Sequence, residues 1–209
     1  MTTASAAPPP TRQRLLDAAL ELFADRGFAD TTVGDLEAEA GLSPRAGGLY
    51  KHFASKEAVL REALERFVSG AERVTGTAFE LMPLGDIRAE LTLIARAGVA
   101  YFSANGKFIR IMQQERARFP DLVKEMYERA VAPAYALGAA WLQRQMESGF
   151  FPRADAQALA IVVMSPFVTY QIDQETFGRP TADVGPERFI AAWVDAMVAC
   201  ARGAVQGDS

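Results

Sequence analysis

The residues best suited to binding chemistry lie in one short segment, Gly41–Glu57, which reads GLSPRAGGLYKHFASKE. Four of its side chains are cationic or can become so, namely Arg45, Lys51, His52 and Lys56, and no acid precedes the final glutamate. The whole protein, in contrast, has a formal net charge of −4. Because cationic side chains supply much of the affinity for nucleic acids, this local excess of positive charge indicates a DNA contact. A solvated helix face that lacks acids is the alternative.

The spacing of glycine, serine and proline around this segment predicts two short helices joined by a turn. Gly41 follows the amphipathic run 32–40 and is typical of a helix C-terminus, whereas Ser43 before Pro44 is typical of a helix start. Ser55 then predicts the start of a further helix. Two short helices with a glycine turn between them form a helix-turn-helix, whose second helix enters the major groove of DNA.

Two registers are open for this second helix. It begins at Ser43 and is long, or Ser43-Pro44-Arg45 lengthens the turn and the helix begins near Ala46. The Gly47-Gly48 pair favours the later start, because glycine costs about 1 kcal/mol per residue relative to alanine inside a helix.

The elements that must position this segment are predicted to be helices. Thr11 caps a helix that ends at Gly27, and Thr32 with Asp35 forms a capping box for the next helix. From Asp86 onward every segment has helical apolar periodicity, and no strand pattern occurs, so the fold class is all-α. The predicted helices of this part run from Asp86 to a stop at Asn105-Gly106, over a short stretch near Phe108–Met112, over 121–148 with a bend at Pro133, over 155–177 with a bend at Pro166, and over 186–202.

Composition argues against other classes of protein. The single cysteine, Cys200, excludes an internal disulfide and fits a reducing cytoplasm, where we expect the protein to reside. The longest uncharged run, Ala156–Ile172, contains proline and glutamine and is short for a membrane span. The single histidine, His52, lies in the candidate DNA-contacting segment and Cys200 in an apolar stripe. We therefore expect no enzyme, no metal site and no cofactor.

The order Leu-Tyr-Lys-His-Phe at 49–53, followed by Ser-Lys-Glu at 55–57, resembles the DNA-binding domain of the TetR family of transcriptional regulators. The resemblance covers Arg12–Leu64, although Ser43 and Tyr50 are farther apart than in most of the family. It implies an N-terminal three-helix helix-turn-helix DNA-binding domain followed by a larger helical ligand-sensing and dimerisation domain. The expected limits are a disordered tail at 1–10, the DNA-binding domain at 11–54, a linking helix at 55–76, and the effector-binding and dimerisation domain at 77–209.

The resemblance also implies a function. We expect a sequence-specific DNA-binding transcriptional regulator, a repressor that leaves a palindromic operator in double-stranded DNA when a small-molecule effector binds. An activator of the same fold is one alternative, since nothing in the residues distinguishes activation from repression. A helical interaction module that does not bind DNA is the other.

The predicted DNA-binding residues divide by chemistry. Tyr50 and Lys56 occupy the positions of the family's phosphate-contacting tyrosine and lysine, whereas Arg45 and Lys51 are long donors placed to reach base edges. Two residues remain open, because Thr32 contacts phosphate or only caps its helix, and His52 contacts DNA or only packs. The full predicted set is Thr32, Ser43, Arg45, Tyr50, Lys51, His52 and Lys56.

The last two predicted helices, 155–177 and 186–202, are apolar on more than one face. In the final helix one stripe contains Phe189, Trp193, Met197 and Cys200, and another contains Ile190, Val194 and Val198. A helix that is apolar nearly all round must be covered on both sides. These two helices therefore predict a homodimer interface, with a fully intramolecular core as the alternative.

A row of small residues predicts an effector site. Tyr127, Ala130, Ala134, Gly138 and Trp141 share one face of the predicted helix 121–148, which allows either close helix packing or an open pocket. Nearby aromatic, amide and hydroxyl groups favour a pocket for an uncharged or weakly polar molecule, aromatic or polycyclic. The predicted ligand-binding residues are Tyr101, Phe102, Gln113, Tyr127, Ala134, Trp141 and Tyr170.

Overall fold

The computed structural model of the protein describes residues 9–80 and 82–203. The predicted disordered tail, 1–10, lies outside the described residues except for its last two prolines. Within the described ranges the structure contains helices and turns but no strand, so the all-α prediction is confirmed. The helices are α1 Thr11–Arg26, α2 Val33–Glu39, α3 Lys56–Glu80, α4 Ile87–Gln114, α5 Pro120–Met126, α6 Ala132–Glu147, α7 Ala156–Phe177 and α8 Pro186–Gly203, with 3-10 turns at Leu49–Lys51 and Thr181–Asp183 and a π turn at Tyr127–Val131.

The described residues form two compact units. The first extends to Arg66 and also includes Lys107–Val123, and the second contains Phe67–Gly106 and the residues from Lys124 onward. Helices α3 and α4 therefore each contribute residues to both units. The predicted domains are contiguous along the chain, unlike these units, and their limits stay a prediction.

Local sequence accounts for the frame of the first unit. Helix α1 buries its apolar stripe and ends at Gly27, whose φ of 85° few other residues adopt. Thr11 does not cap α1 as predicted, because it is the first helical residue and no side chain of the described residues caps this helix. Helix α2 has the predicted capping box, because the Thr32 side chain accepts from the Asp35 N–H and the Asp35 carboxylate accepts from the Thr32 N–H. The Ser55 hydroxyl accepts from the Ala58 N–H at 3.1 Å and so begins α3 as predicted.

No α-helix forms between α2 and α3, so both predicted starts of a third helix are wrong. The segment turns instead, with positive φ at Gly41 (70°), Arg45 (63°) and Gly47 (71°), and makes one 3-10 turn over Leu49–Lys51. Positive φ at both Arg45 and Gly47, which only one residue separates, is incompatible with a right-handed helix through them. Ser43 and Pro44 therefore lengthen the turn, as one of the two interpretations held, and Ser43 does not cap a helix.

Asn105-Gly106 does not end a helix, because α4 continues through both residues to Gln114. The Asn105 Nδ2 donates to the Tyr101 carbonyl one turn back, which is compatible with a helix interior. A Cβ on Gly106 would lie 2.5 Å from Gln171 Nε2 and 2.6 Å from Glu175 Oε1. This glycine therefore permits close approach of α7 and is not a stop signal.

The predicted long helix 121–148 is interrupted by the π turn that immediately precedes α6. Pro133 lies in the first turn of α6. Proline has no N–H to donate and its ring crowds the carbonyl four residues earlier, and a π turn relieves both conflicts. Helices α7 and α8 match their predicted limits, with Asp155 capping α7 and Gly178 (φ 67°) ending it.

Candidate nucleic-acid interface and ligand cavity

The turn between α2 and α3 exposes most of the predicted DNA-binding residues. We refer to residues 43–51 as the recognition turn. Ser43, Arg45, Tyr50 and Lys51 are exposed there, with 61% of the Tyr50 surface accessible. These side chains offer hydroxyl and cationic donors without a neighbouring acid in the turn, which is the chemistry of a phosphate-contacting surface.

Arg45 lies against the first turn of α2. A Cβ on Gly34 would lie 3.4 Å from Arg45 Cγ and 3.7 Å from Thr32 Oγ1. The structure thus brings Arg45 close to Thr32, another predicted DNA contact, at the N-terminus of α2. The helix dipole there favours anions, so the arrangement suits a phosphate better than a base edge.

The Thr32 hydroxyl is engaged in the capping box. It donates to Asp35 Oδ2 at 2.6 Å and accepts from the Asp35 N–H at 3.2 Å. Hydrogen bonds from the Thr32 side chain and backbone lower the pKa of the Asp35 carboxyl, and Arg26 and Arg45 add a smaller effect. The capping role of Thr32 is therefore present in the structure, and a phosphate contact remains a prediction.

The recognition turn is attached to its frame near its C-terminal end. The Leu49 side chain is fully buried and its N–H donates to Glu37 Oε1 at 2.9 Å. After the turn, Arg12 Nη1 donates to the His52 carbonyl at 2.7 Å, and the Arg12 guanidinium lies 4.5 Å from the centre of the Phe53 ring. His52 itself is half-buried.

Lys56 is held inside the first unit. Its ammonium donates to the carbonyls of Phe28 and Thr31, at 2.7 Å for Thr31, and lies 4.2 Å from the centre of the Phe28 ring. Burial lowers the pKa of this ammonium, and the Arg118 guanidinium lowers it further. The phosphate contact predicted for Lys56 stays a prediction, whereas the structure uses the ammonium to brace the connection between α1 and α2.

The second unit contains an apolar cavity of about 120 Å³. Of the predicted ligand-binding residues, Tyr101, Phe102, Ala134 and Trp141 line it. Several other lining residues were not predicted from the sequence. Two features of the sequence could have indicated them, since Phe167 directly follows Pro166 and Gly98 lies in the middle of a helix. These residues include Gly98, Met164, Phe167 and Trp193.

The polar groups of the aromatic lining residues already have protein partners. The Tyr101 hydroxyl donates to the Phe67 carbonyl at 3.1 Å, and the Trp193 Nε1–H donates to the Val163 carbonyl at 3.0 Å. Burial raises the pKa of the Tyr101 hydroxyl. The cavity therefore presents apolar surface, and its aromatic lining residues leave free none of the hydroxyl and amide groups that the sequence leads us to expect.

Trp141 owes its orientation to a buried carboxylate. Its Nε1–H donates to Glu90 Oε2 at 3.1 Å, and the same carboxylate accepts from the Leu84 N–H and Gln145 Nε2. Glu90 is 3% exposed, so this carboxylate lies in the interior and not in solvent. The sequence signal was its place in the first turn of α4, where a helix favours an anion.

Three predicted ligand-binding residues do not line the cavity. Gln113 is exposed and belongs to the first unit, and Tyr127 is 59% exposed on the π turn. Tyr170 is buried elsewhere, since its hydroxyl donates to the Val184 carbonyl at 2.8 Å and its ring stacks on Phe189 at 4.4 Å. Helical periodicity alone assigned these residues to the predicted pocket. In the structure Tyr170 packs against other parts of the chain, whereas Gln113 and Tyr127 face solvent.

The two apolar stripes predicted on the last helix are one broad face buried within the chain. Trp193, Val194, Met197 and Val198 are all at most 8% exposed, whereas Cys200 is exposed. The outward apolar surface lies on α7 instead, where Ile161 and Val162 are 57% and 68% exposed. The outward face of α8 carries mainly small residues, namely Ala191, Ala192, Ala196 and Ala199.

None of the helices in the described part of the chain is long and apolar enough to cross a membrane. Within residues 9–80 and 82–203, no group of three or more His, Cys, Asp and Glu side chains could hold a metal ion. The candidate sites are therefore the recognition turn and the apolar cavity.

The capped helix α2, the glycine turn and the buried Leu49 define a helix-turn-helix, in which a 3-10 turn takes the place of the second helix. Residues 15–63 match the family model described as bacterial regulatory proteins, tetR family. The chain is 36% identical over 105 residues to the HTH-type transcriptional repressor KstR2 of Rhodococcus jostii (strain RHA1). This match covers 50% of this chain and 49% of that protein.

Two solved structures extend the comparison over most of the chain. PfmR, a TetR family transcriptional regulator from Thermus thermophilus, has a TM-score of 0.70 at 25% identity and covers 89% of this chain and 97% of its own. The ketosteroid transcriptional regulator KstR2 of Mycobacterium tuberculosis has a TM-score of 0.70 at 21% identity, covering 93% and 96%. The chain spans about half the length, or less, of the first curated relatives it matches. Residues 15–63 therefore match the TetR family, and the PfmR structure supports the same family over most of the chain.

Proposed function

We propose that this protein is a transcriptional repressor that binds operator DNA through the recognition turn. The observation that carries the proposal is an exposed, acid-free, cationic turn mounted on a helix-turn-helix frame within an acidic protein. Repression is favoured over activation because the Rhodococcus relative, which matches half of this chain, is named a repressor.

The roles of the exposed residues follow from their positions. Tyr50 and Lys51 are exposed on the 3-10 turn, which takes the place of the recognition helix of a helix-turn-helix. Lys51 is therefore the proposed base contact. Arg45 lies beside Thr32 at the start of α2, so we assign it to a phosphate rather than a guanine edge. Few side chains remain for direct readout, and the shape of the DNA carries a larger share of the specificity.

We propose that the protein is a homodimer, and the proposed operator is therefore palindromic. Ile161 and Val162 expose apolar surface on α7, and the alanine face of α8 lets a second helix approach closely. Two copies that bury these faces form a four-helix contact with two-fold symmetry. Each copy then presents one recognition turn to one half-site.

The proposed effector is an apolar molecule that enters the cavity beside Ala134. A volume of about 120 Å³ is below the range of about 300–1,000 Å³ typical of ligand pockets, so a larger ligand must widen it. The flexible Met164 side chain, whose sulfur would lie 2.8 Å from a Cβ on Gly138, can move to supply that freedom. A fused-ring molecule fits this chemistry, and one solved relative is named a ketosteroid regulator. Helix α3 begins five residues after the recognition turn and lines the cavity at Ala71, so it connects the two along the chain, and α4 also contributes residues to both units.

The experiment that tests the function is selection from random DNA duplexes with the full-length protein. We expect enrichment of an inverted repeat, and replacement of Arg45 by alanine to weaken binding to all sequences and to reduce the salt slope by about 1, as for a lost phosphate contact. Ala54→Ser, an exposed change just after the turn, is the matched control. Recovery of no preferred sequence by the wild-type protein would refute the proposed function.

A further inference from the structure

Glu37 is a buried carboxylate in the middle of α2, where an apolar side chain is expected. Its exposed fraction is 0%, the same as that of the neighbouring core residue Leu36. Its Oε2 has no hydrogen-bond partner within the described residues. Burial of a carboxylate with an unsatisfied oxygen is unfavourable, so its retention here calls for a function that a leucine or methionine would not serve.

The contacts of Glu37 lead to the recognition turn from both sides. Its Oε1 accepts the Leu49 N–H at 2.9 Å, at the first residue of the 3-10 turn. Its own backbone carbonyl accepts the Leu42 N–H at 2.7 Å, just before the turn begins. A Cβ on Gly48 would lie 3.5 Å from the same Oε1 and 3.1 Å from Leu42 Cδ1. Glu37 therefore holds the chain immediately before and near the end of the turn, and Gly48 leaves room for the carboxylate.

The recognition turn needs such an attachment because it lacks a helical hydrogen-bond ladder. The Ala46 N–H donates to the Ser43 carbonyl at 3.3 Å, and Arg45 and Gly47 have positive φ. In a regular recognition helix each N–H is fixed by the carbonyl four residues earlier, which sets the orientation of every side chain. Here the carboxylate supplies an equivalent acceptor to the first N–H of the 3-10 turn.

We infer that Glu37 is a positioning residue for sequence readout, since its hydrogen bond to Leu49 fixes the orientation of Tyr50 and Lys51 towards DNA. The inference rests on the proposed DNA binding. Glu37 does not contact DNA itself, because its side chain is fully buried. It acts through the backbone of the turn, so it determines which sequence is preferred rather than how strongly phosphates are bound.

Three variants separate the hydrogen bond from the charge and from packing. Glu37→Gln retains a carbonyl oxygen at the same reach, Glu37→Met retains the length without an acceptor, and Glu37→Asp retains the charge with a shorter reach. We expect Glu37→Gln to prefer the selected operator over random duplex as the wild type does, within about twofold. We expect Glu37→Met and Glu37→Asp each to lose about tenfold of that preference, the effect of one hydrogen bond, with an unchanged salt slope.

A measurement without DNA tests the same attachment. Hydrogen exchange of the Leu49 amide in the free protein should be slow in the wild type and in Glu37→Gln, and faster in Glu37→Met and Glu37→Asp. Wild-type operator preference in a folded Glu37→Met or Glu37→Asp protein would overturn the inference, as would equal loss in Glu37→Gln. If Glu37→Met does not fold, the Glu37→Asp comparison decides alone. Failure of the wild type to select any duplex refutes the proposed function instead, and amide exchange then still tests the attachment.

Discussion

Replacement of Lys56 by methionine tests whether this lysine braces the fold or binds a phosphate. The substitution keeps the aliphatic stem and removes the ammonium from two carbonyl acceptors and from the face of the Phe28 ring. Each lost bond leaves a part-buried carbonyl unsatisfied, at about 1–1.5 kcal/mol at the lower end of the known range. The expected loss of stability is therefore about 2–3 kcal/mol, or about 4–12 °C in melting temperature for a chain of this size.

Lys51→Met is the matched control, because Lys51 is exposed on the recognition turn and no ion pair involving it occurs in the described residues. We expect it to leave the melting temperature within about 1 °C and the salt slope of DNA binding nearly unchanged, because Lys51 is the proposed base contact. Thermal unfolding followed by circular dichroism, and DNA titrations at several salt concentrations, measure both quantities for both variants. If Lys56→Met melts as the wild type does and reduces the salt slope as Arg45→Ala is expected to, Lys56 is a phosphate contact and the bracing role is refuted.

Three further changes test the other sites. Ala134→Phe should fill the cavity and abolish effector-dependent release of DNA, with operator affinity within a few-fold of the wild type. Ala136→Phe, at an exposed position of the same helix, is the control. If Ala134→Phe responds normally to the effector, the effector binds elsewhere. Val162→Glu should yield monomers in light scattering, unlike Leu84→Glu, which also charges an exposed apolar position; a Val162→Glu dimer would exclude this face. Asp35→Asn should lower the melting temperature at pH 7. Because the folded pKa of Asp35 lies below its ordinary 3.8, its stabilisation is present above that pH and is lost on acidification, so the two proteins should converge as the pH falls below 3.8; a constant difference would contradict this cause.

Glycine illustrates how little a residue type decides without its neighbours. Gly47 has a φ of 71°, and a Cβ at this position would meet nothing within 4 Å, so it serves the backbone of an open turn. Gly106 lies in a regular helix, where a Cβ would collide with the side chains of Gln171 and Glu175. Sequence reasoning interpreted Gly106 as a helix end, because the same residue type serves both purposes and only the packed neighbour distinguishes them.

Buried side chains show the same limit. Trp193 was assigned to a subunit interface from its apolar stripe, yet its indole N–H bonds to the Val163 carbonyl inside the chain. Periodicity identifies the face of a helix that must be covered, but it does not identify the element that covers it. The proposed subunit interface therefore rests on Ile161 and Val162, which are exposed in the N-terminal part of α7.

The sequence by itself determined the all-α fold, the capping box of α2, the limits of α7 and α8, and the TetR-family character of the N-terminal segment. These features depend on interactions within a few residues, namely caps, helix periodicity and a local motif, which are legible along the chain. Only the tertiary structure decided that the recognition segment is a turn, that Lys56 is bound to carbonyls, and that Glu37 is buried against Leu49. Those outcomes depend on groups 12 or more residues apart, whose proximity and burial arise only when the helices pack.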